Sequence, residues 1–595
     1  MGNRYLVVSD LHLADAEDHA DGWKAYKHSR YFFDDAFDDL LGRFVSRSRP
    51  GDSLTLILNG DILDFDIVTA VPDPAPWPVS RSEHRTGLEP TEERSVWKTR
   101  LILAAHPVFL RALAGFLQKG HRMVFLMGNH DREVHFPSVQ KAIRDAIGPV
   151  PDEAIRFEPW FYYVEGEIYV EHGQQYDYYS SFRTLLCPLI DTPGGPAVAL
   201  PMGNLSGRHL TNRMGFFNPH ATDFILNAFQ YLTHWLKFYA FTRRSLARNW
   251  FAGSLVSLGR LIRIKQRQRR NPPDCDGERA AIAARFGLNL GVLNALESLE
   301  RRPITDRVFR VIREFWLDRV LMALLMTGGT IALALVPIPL WIKLMVPLTA
   351  FPLIYFIYES AVSGESLSTY ERGIPDIARR IADLLDVRVV TMGHTHKPRL
   401  LPLRKGLTFV DTGTWAPIMK RLETWRLEPG FRDYLELTFR DGEPEIVFES
   451  WLETAVQVRR VSTEEDLAAC RRIRREVFVD GLGGDAVAAW EASDDDFFHF
   501  LVLAGPRPVG TARLRIEPEK MLADRIALSP ARRDEGVARR LVRSLEELAR
   551  AKGRTELMLE VIEQDVPRFE VLGYVPLGDP VDSAGIPCRR MRRVF

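Results

Sequence analysis

The sequence predicts an α/β protein with a helical insertion and a second, separate α/β segment at its C-terminal end. Three observations carry that reading. Up to about Gly173, short β-rich runs ("YLVVS", "LTLIL", "MVFLM", "IYVEH") alternate with helical stretches such as Tyr31 to Arg49 and Trp97 to Lys119. From residue 174 to about 320 strand signals vanish, and aromatic-rich segments ("DFILNAFQYLTHWLKFYAF") alternate with basic ones ("RLIRIKQRQRR") before strands resume at "VRVVTM" and "LTFVDTG". A hairpin with turn chemistry at its centre, "YLELTFRDGEPEIVFESW", closes the first unit near Leu452, and a further α/β pattern follows it. The expected domains are 1–173 with 386–452, an insertion over 174–385, and a C-terminal domain over 456–595.

The totals agree with several folded units. A chain of 595 residues is too long for one hydrophobic core. With 46% hydrophobic and 26% charged residues it has the composition of a folded protein, and its 78 basic and 78 acidic residues cancel. That balance argues against wholesale nucleic-acid binding, and no nucleic-acid partner is expected, although local basic clusters remain available to phosphate or lipid headgroups. Cys187, Cys275, Cys470 and Cys588 lie far apart, with neither a CxxC pair nor a disulfide ladder, which fits a reducing compartment. The opening "MGNRYLVVSD" reads as a first strand rather than a signal peptide, so the N-terminal part is expected in the cytoplasm.

Within the insertion, Val320 to Trp341 carries no charge and is long enough for the roughly 20 residues that cross a hydrocarbon core. "LMVPLTAFPLIYFIY" continues to Tyr358 with two prolines, as a second span or a re-entrant return. A buried hairpin in a soluble core is the plainer alternative, and long uncharged runs are unusual there. Arginines and lysines crowd the stretch from Arg243 to Arg319, whereas Lys343 marks the tip, so both ends of a membrane hairpin over about 320–358 should face the cytoplasm. The expected location is the cytoplasmic face of the inner (plasma) membrane.

Polar clusters follow the apolar strands: Asp10 and His12, then Asp61, then Asn129, His130 and Asp131, then His172, then His394 and His396. In a layered α/β fold the carboxyl ends of strands open into one crevice, so clusters remote in sequence converge there. Carboxylate and amide oxygens with imidazole nitrogens, and no thiolate, suit two divalent transition metals, Mn, Fe or Zn. Any one of these histidines alone is better explained as a core or surface residue; the set is not.

The order "SDLHL", "NGDILD", "GNHD", "EHG" and "GHTH" resembles the calcineurin-like metallophosphoesterase family over residues 1 to about 450, the insertion aside. The resemblance implies a four-layer β-sandwich flanked by helices. It implies that Asp10, His12 and His396 hold one metal, that Asn129, His172 and His394 hold the other, and that Asp61 bridges them. The reaction would be hydrolysis of a phosphoester or phosphoanhydride by metal-activated water. His130 would be catalytic, stabilising charge on the leaving-group side, and Asp131 would orient it through its other ring nitrogen.

Because the apolar hairpin lies between His172 and His394, both of its ends must return to one side for the second metal site to close. Residues 174 to 318 would then form a lid against the membrane face. A lid apolar and basic by turns suits a lipid-linked phosphate, and anchoring alone, with a phosphorylated small molecule as substrate, is the plainer alternative. "SDLHL", "NGDILDF" and "GHTHKP" are also similar to the UDP-2,3-diacylglucosamine pyrophosphatases, which usually have Arg where this chain has His130 and lack the membrane hairpin.

In the C-terminal segment, a strand at Ile526 to Leu528 precedes a basic turn and a helix from about Gly536 to Ala551. Arg533, Asp534, Glu535, Gly536, Val537 and Ala538 free backbone N–H groups at a helix start, a site for pyrophosphate, though a solvated helix start explains about as many such turns. With "RREVFVDGL", "ELMLEVI" and "RFEVLGYVPLGDPVDSAGIPCRRM", the segment resembles the GNAT N-acetyltransferases, which implies acetyl-CoA on that turn and pantetheine between splayed strands near Leu528 and Leu559. Where many members have a tyrosine as acid, this chain has Phe569, which carries no proton to donate. His499 and Glu560 are the alternative acids, each weighed against a surface or core role. Two readings stay open: a phosphoesterase fused to an active acetyltransferase, and one regulated by a non-catalytic acyl-CoA sensor.

Overall fold

The computed structural model describes residues 3–19, 24–48, 53–213, 246–361, 367–421, 426–428, 432–440, 442–451, 456–484, 497–504, 507–516, 521–529, 537–570, 572–583 and 585–594. The chain divides into two compact units, Met1–Asp34 with Pro50–Phe448, and Asp35–Arg49 with Glu449–Phe595. The helix expected at Tyr31 to Arg49 runs Asp34–Arg47 and falls almost wholly in the second unit.

The first unit contains strands β1 (Arg4–Val8), β2 (Leu54–Asn59), β3 (Arg122–Leu126), β4 (Ile155–Glu158), β5 (Phe161–Val164), β6 (Ile168–Glu171), β7 (Leu189–Thr192), β8 (Gly195–Val198), β9 (Val389–Met392), β10 (Arg399–Arg404), β11 (Leu407–Asp411), β12 (Ile418–Arg421), β13 (Arg426–Glu428), β14 (Asp433–Arg440) and β15 (Glu443–Ser450). One sheet has the order β15-β14-β1-β2-β3-β4, parallel from β1 to β4; the other has the order β10-β11-β9-β6-β5. Tyr5, Val7, Ile57, Val124 and Leu126 share one buried cluster with Tyr162, Ile168, Val170, Val389 and Val410, so the two sheets pack face to face. The near-continuous burial of β1, β2 and β3 is that of parallel strands covered on both faces, which is why their sequences are apolar runs rather than alternations.

Three features differ from the sequence expectation. The helix expected from Trp97 to Lys119 is two helices, Glu92–Ala105 and Pro107–Gln118, bent by 90°. Pro107 lacks an N–H and forces His106 out of helical geometry, to φ −121° and ψ 54°. The insertion is not free of strands: β7 and β8 pair across the "PGG" turn in "LIDTPGGPAV". Cys187 and Cys275, 88 residues apart in sequence, form a disulfide with Cα atoms 5.8 Å apart, where the wide spacing of the cysteines had pointed to a reducing compartment. Cys470 and Cys588 are free and buried. The aromatic segment over 223–241 lies outside the described residues.

The apolar run forms two antiparallel helices, Leu317–Leu335 and Leu340–Ala361, each long and apolar enough to cross a membrane. Pro337 and Pro339 end the first earlier than expected and hand Trp341 to the second. Leu324, Leu325, Leu335, Leu340, Leu348 and Phe356 are exposed along the hairpin. Arg319 Nε donates to Glu359 Oε1 at 2.8 Å, bringing the two base ends together.

The second unit carries β16 (Val456–Arg460), β17 (Phe498–Ala504), β18 (Arg507–Ile516), β19 (Met521–Leu528), β20 (Glu556–Ile562), β21 (Val575–Asp582) and β22 (Pro587–Val594), ordered β16-β17-β18-β19-β20-β22-β21. β19 and β20 run parallel and pair at Leu522–Met558 and Ala523–Leu559. Arg525, two residues on, takes a positive φ of 51°, and the pairing with β20 stops before it. The helix Val537–Ala551 buries Leu541, Val542, Leu545 and Ala549 in the same core as β17 to β20.

Candidate metal centre

The polar clusters leave the carboxyl ends of β1, β2, β3, β6 and β9. Asp10, His12, Asp61, His394 and His396 all adopt positive φ, between 47° and 68°, a conformation that costs side-chain-bearing residues energy and persists where surroundings over-determine it. Here the surroundings are backbone contacts: Asp10 donates to Gly60 O at 3.1 Å, His12 to Asp61 O at 2.9 Å, and the Thr414 hydroxyl to Asp10 O at 2.8 Å. Gly128 allows a close approach, because a Cβ there would lie 2.2 Å from Asp61 Oδ1 and 2.6 Å from the Asp61 nitrogen.

The side chains gather into two overlapping groups. Asp10 Oδ1 lies 3.1 Å from His396 Nε2 and 3.9 Å from His12 Nε2. Asp61 Oδ2 lies 3.1 Å from His172 Nε2 and 3.9 Å from His12 Nε2. Ligand atoms of Asp10, His12 and His396 fall within 4.8 Å of one another, as do those of Asp61, His172 and His394. Asp61 also groups with His12 and His130, which puts its carboxylate between the two sets.

Ring orientation decides which nitrogens face inward. His12 Nδ1 meets Asp64 Oδ2 at 3.0 Å, His172 Nδ1 donates to Asn59 O at 3.0 Å, and His394 Nε2 meets Asp177 Oδ2 at 3.1 Å. Each imidazole thus has one nitrogen oriented by an oxygen, the usual support of a metal-binding histidine. Asn129 Oδ1 is buried with no hydrogen-bond partner, while its Nδ2 donates to Asn204 Oδ1 at 3.3 Å. A buried amide oxygen without a donor, among carboxylates and oriented imidazoles, fits divalent cations.

His130 and Asp131 do not form the pair expected from their adjacency. Asp131 accepts from the Gly128 N–H at 2.6 Å and the Ile62 N–H at 2.8 Å, so both its oxygens fasten backbone. Burial, then the Asp61 charge, pushes its carboxyl up to about 7. His130 Nδ1 instead lies 3.2 Å from Asp64 Oδ1 and 3.4 Å from Asp66 Oδ2. The reason is local: adjacent side chains on a sharp turn point apart, and Asp64 and Asp66 come back from the loop after β2.

The electrostatics follow from this crowding. Burial disfavours the His130 imidazolium, yet the Asp64 and Asp61 carboxylates raise it well above its ordinary value. Burial opposes His172 as well, and Asp61 and Asp10 still raise it to about 10. Burial pushes Asp61 up, but the His172 and His130 charges outweigh it and hold the carboxyl well below the usual range. The cleft is built for net positive charge between carboxylates.

Sequence reasoning did not find Asp64, Asp66, Asp177, Asn204 or Arg208. Asn204 Nδ2 donates to Asp66 Oδ2 at 2.5 Å and to Asn129 O at 2.9 Å, and Arg208 Nε lies 3.9 Å from Asp66 Oδ1. Asn204 and Arg208 come from the helix Met202–His209, so the insertion contributes directly to the centre. The density of aspartates in "GDILDFD" was a usable signal for Asp64 and Asp66; nothing local marks the other three.

Residues 4–192 match the calcineurin-like phosphoesterase family, and residues 467–572 match the acetyltransferase (GNAT) family. The chain carries a calcineurin-like phosphoesterase domain, which makes it a hydrolase, and a GNAT acetyltransferase domain. It is 30% identical over 135 residues to the uncharacterized protein YyaT of Bacillus subtilis (strain 168), covering 22% of this chain and 91% of that protein. It is 29% identical over 131 residues to the uncharacterized N-acetyltransferase YjcF of the same organism, covering 22% and 94%. The crystal structure of Escherichia coli ElaA aligns with a TM-score of 0.21 at 20% identity, covering 23% of this chain and 99% of that one.

In the GNAT unit, Val537 and Ala538 are buried at the start of the helix Val537–Ala551, whereas Arg533, Asp534, Glu535 and Gly536 lie outside the described residues. Phe569 is buried in the core cluster. Tyr574 donates its hydroxyl to Glu546 Oε1 at 3.0 Å. His499 is buried, with Nδ1 accepting from Arg474 at 2.6 Å, and Arg590 Nε donates to Glu560 Oε2 at 3.4 Å.

Proposed function

We propose that the phosphoesterase is a dinuclear hydrolase held at the cytoplasmic face of a membrane by the hairpin Leu317–Ala361, that it cleaves a phosphoester or phosphoanhydride of a lipid-linked phosphate, and that the GNAT unit takes acetyl-CoA. The observation that carries the dinuclear reading is the Asp61 carboxylate, shared between the His12 side and the His172–His394 side. Asp10, His12 and His396 would hold one cation and Asn129, His172 and His394 the other. When bound, the cations would lower the pKa of a water between them and neutralise phosphoryl oxygens. His130, its Nδ1 3.2 Å from Asp64 Oδ1 and 3.4 Å from Asp66 Oδ2, would supply positive charge or a proton to the departing oxygen. Asn204 and Asp177 hold Asn129 and His394 in place from the insertion.

The exposed apolar helices and the basic stretch before them support the tether and its orientation. Manganese-loaded protein offered soluble phosphodiesters, nucleoside diphosphate derivatives and short-chain lipid phosphates should hydrolyse at least one class and lose that turnover in Asp61→Ala. Absence of hydrolysis across all three would overturn the reading.

A second reading of the GNAT unit rests on Phe569, buried without a hydroxyl, and on the Tyr574 hydroxyl held by Glu546. Here the unit binds acetyl-CoA without transferring it and regulates the phosphoesterase. Acetyl transfer to amine acceptors by the full chain supports the catalytic reading; acetyl-CoA binding without turnover supports the sensor.

A further inference from the structure

At the base of the hairpin, six arginines, Arg183, Arg269, Arg301, Arg302, Arg307 and Arg310, line a cavity of about 470 Å³. Among the described lining residues the acidic side chain is Asp306, which pairs with Arg183. Lys265 brings a further cation close, donating to Thr305 O at 3.0 Å and Asp306 O at 2.9 Å. Burial, then the charges of Arg269 and Arg302, lowers Arg183 from its ordinary value, so the cations already oppose one another. An anion in the cavity relieves that repulsion, and guanidinium forks match the oxygens of a phosphate.

The position indicates which phosphate. Arg310 sits in the helix Val308–Glu314, which leads directly into the apolar helix Leu317–Leu335. Phe309 and Trp316 stand 86% and 62% exposed at this junction, as aromatic side chains do at headgroup level. Basic residues at that depth meet anionic headgroups. We propose that this basin binds the phosphate of an anionic lipid headgroup, at a site separate from the metal centre. The proposal rests on the membrane reading of the hairpin. No metal-centre side chain lines the basin, yet the two are linked in sequence: Asp177 holds His394, and the next residue, Tyr178, lines the basin.

The test uses the full chain in mild detergent, titrated with phosphatidylglycerol, phosphatidylcholine or inorganic pyrophosphate and followed by native mass spectrometry. Wild type should retain phosphatidylglycerol, and Arg269→Glu/Arg302→Glu should weaken that retention at least about tenfold, the loss of two cations near a headgroup. A thermal denaturation midpoint equal to that of wild type shows that the double variant is folded, and Arg302→Gln, with a smaller loss in the same direction, replaces it where it is not. Equal retention in wild type and variant, equal retention of phosphatidylcholine, or displacement of the lipid by equimolar pyrophosphate each overturns the proposal, the last by assigning the basin to a soluble phosphate. Flotation of wild type with neutral phosphatidylcholine vesicles tests the membrane reading by itself: failure to float sinks the tether, whereas flotation together with equal phosphatidylglycerol retention by wild type and the double variant sinks only the basin.

Discussion

Asp64 Oδ1 stands 3.2 Å from His130 Nδ1, so the imidazole beside the metal centre is oriented by a residue from the loop after β2 and not by its sequence neighbour. The other oxygen of Asp64 lies 3.0 Å from His12 Nδ1. One carboxylate therefore sets two rings. Asp64→Asn is expected to lower metal affinity and turnover together, by roughly 10–100-fold, read from metal titration and kcat.

His130→Ala should separate chemistry from binding. Metal content is expected to stay at the wild-type level while kcat falls on the order of a hundredfold. Unchanged turnover would remove His130 from the reaction.

Asp131→Asn should behave differently, because Asp131 fastens the Gly128 and Ile62 N–H groups rather than His130. Losing one of two buried acceptors costs about 1–3 kcal/mol, seen as a lowered denaturation midpoint. Gly128→Ala should lose metal outright, since its Cβ would displace the Asp61 carboxylate.

Glu300 provides a pH signature away from the ligands. Burial pushes its carboxyl up to about 8 against the Gln175 amide, which donates to Oε2 at 2.9 Å. The native state then holds a proton that the unfolded chain has released above its own value, about 4.5, so this contribution to stability is full below that value and is lost as pH climbs towards 8. Glu300→Gln should match wild type near pH 4 and melt higher at pH 8, by roughly 2–4 °C for each kcal/mol regained. Coincident melting curves at both pH values would contradict this.

What the sequence made legible is whatever sits next to its own signal. Asp10, Asp61, Asn129, His172 and His394 each follow an apolar run, so their place at strand ends could be read locally. The break at His106–Pro107 and the β7–β8 turn were also written in residue type, in Pro107 and "PGG", and were outweighed by the surrounding helical pattern. Asp177 and Asn204 could not be read. They reach His394 and Asn129 across 217 and 75 residues, from an insertion whose local pattern says nothing of what it touches. The Cys187–Cys275 bond was hidden in the same way, by distance along the chain.

The central claim is that Asp61 is common to two cation sites. Metal content per chain, measured by elemental analysis of wild type and Asp61→Ala after manganese loading and gel filtration, addresses it most directly. The account predicts two equivalents in wild type and fewer than one in the variant. One equivalent or none in wild type, or two retained in Asp61→Ala, would contradict it.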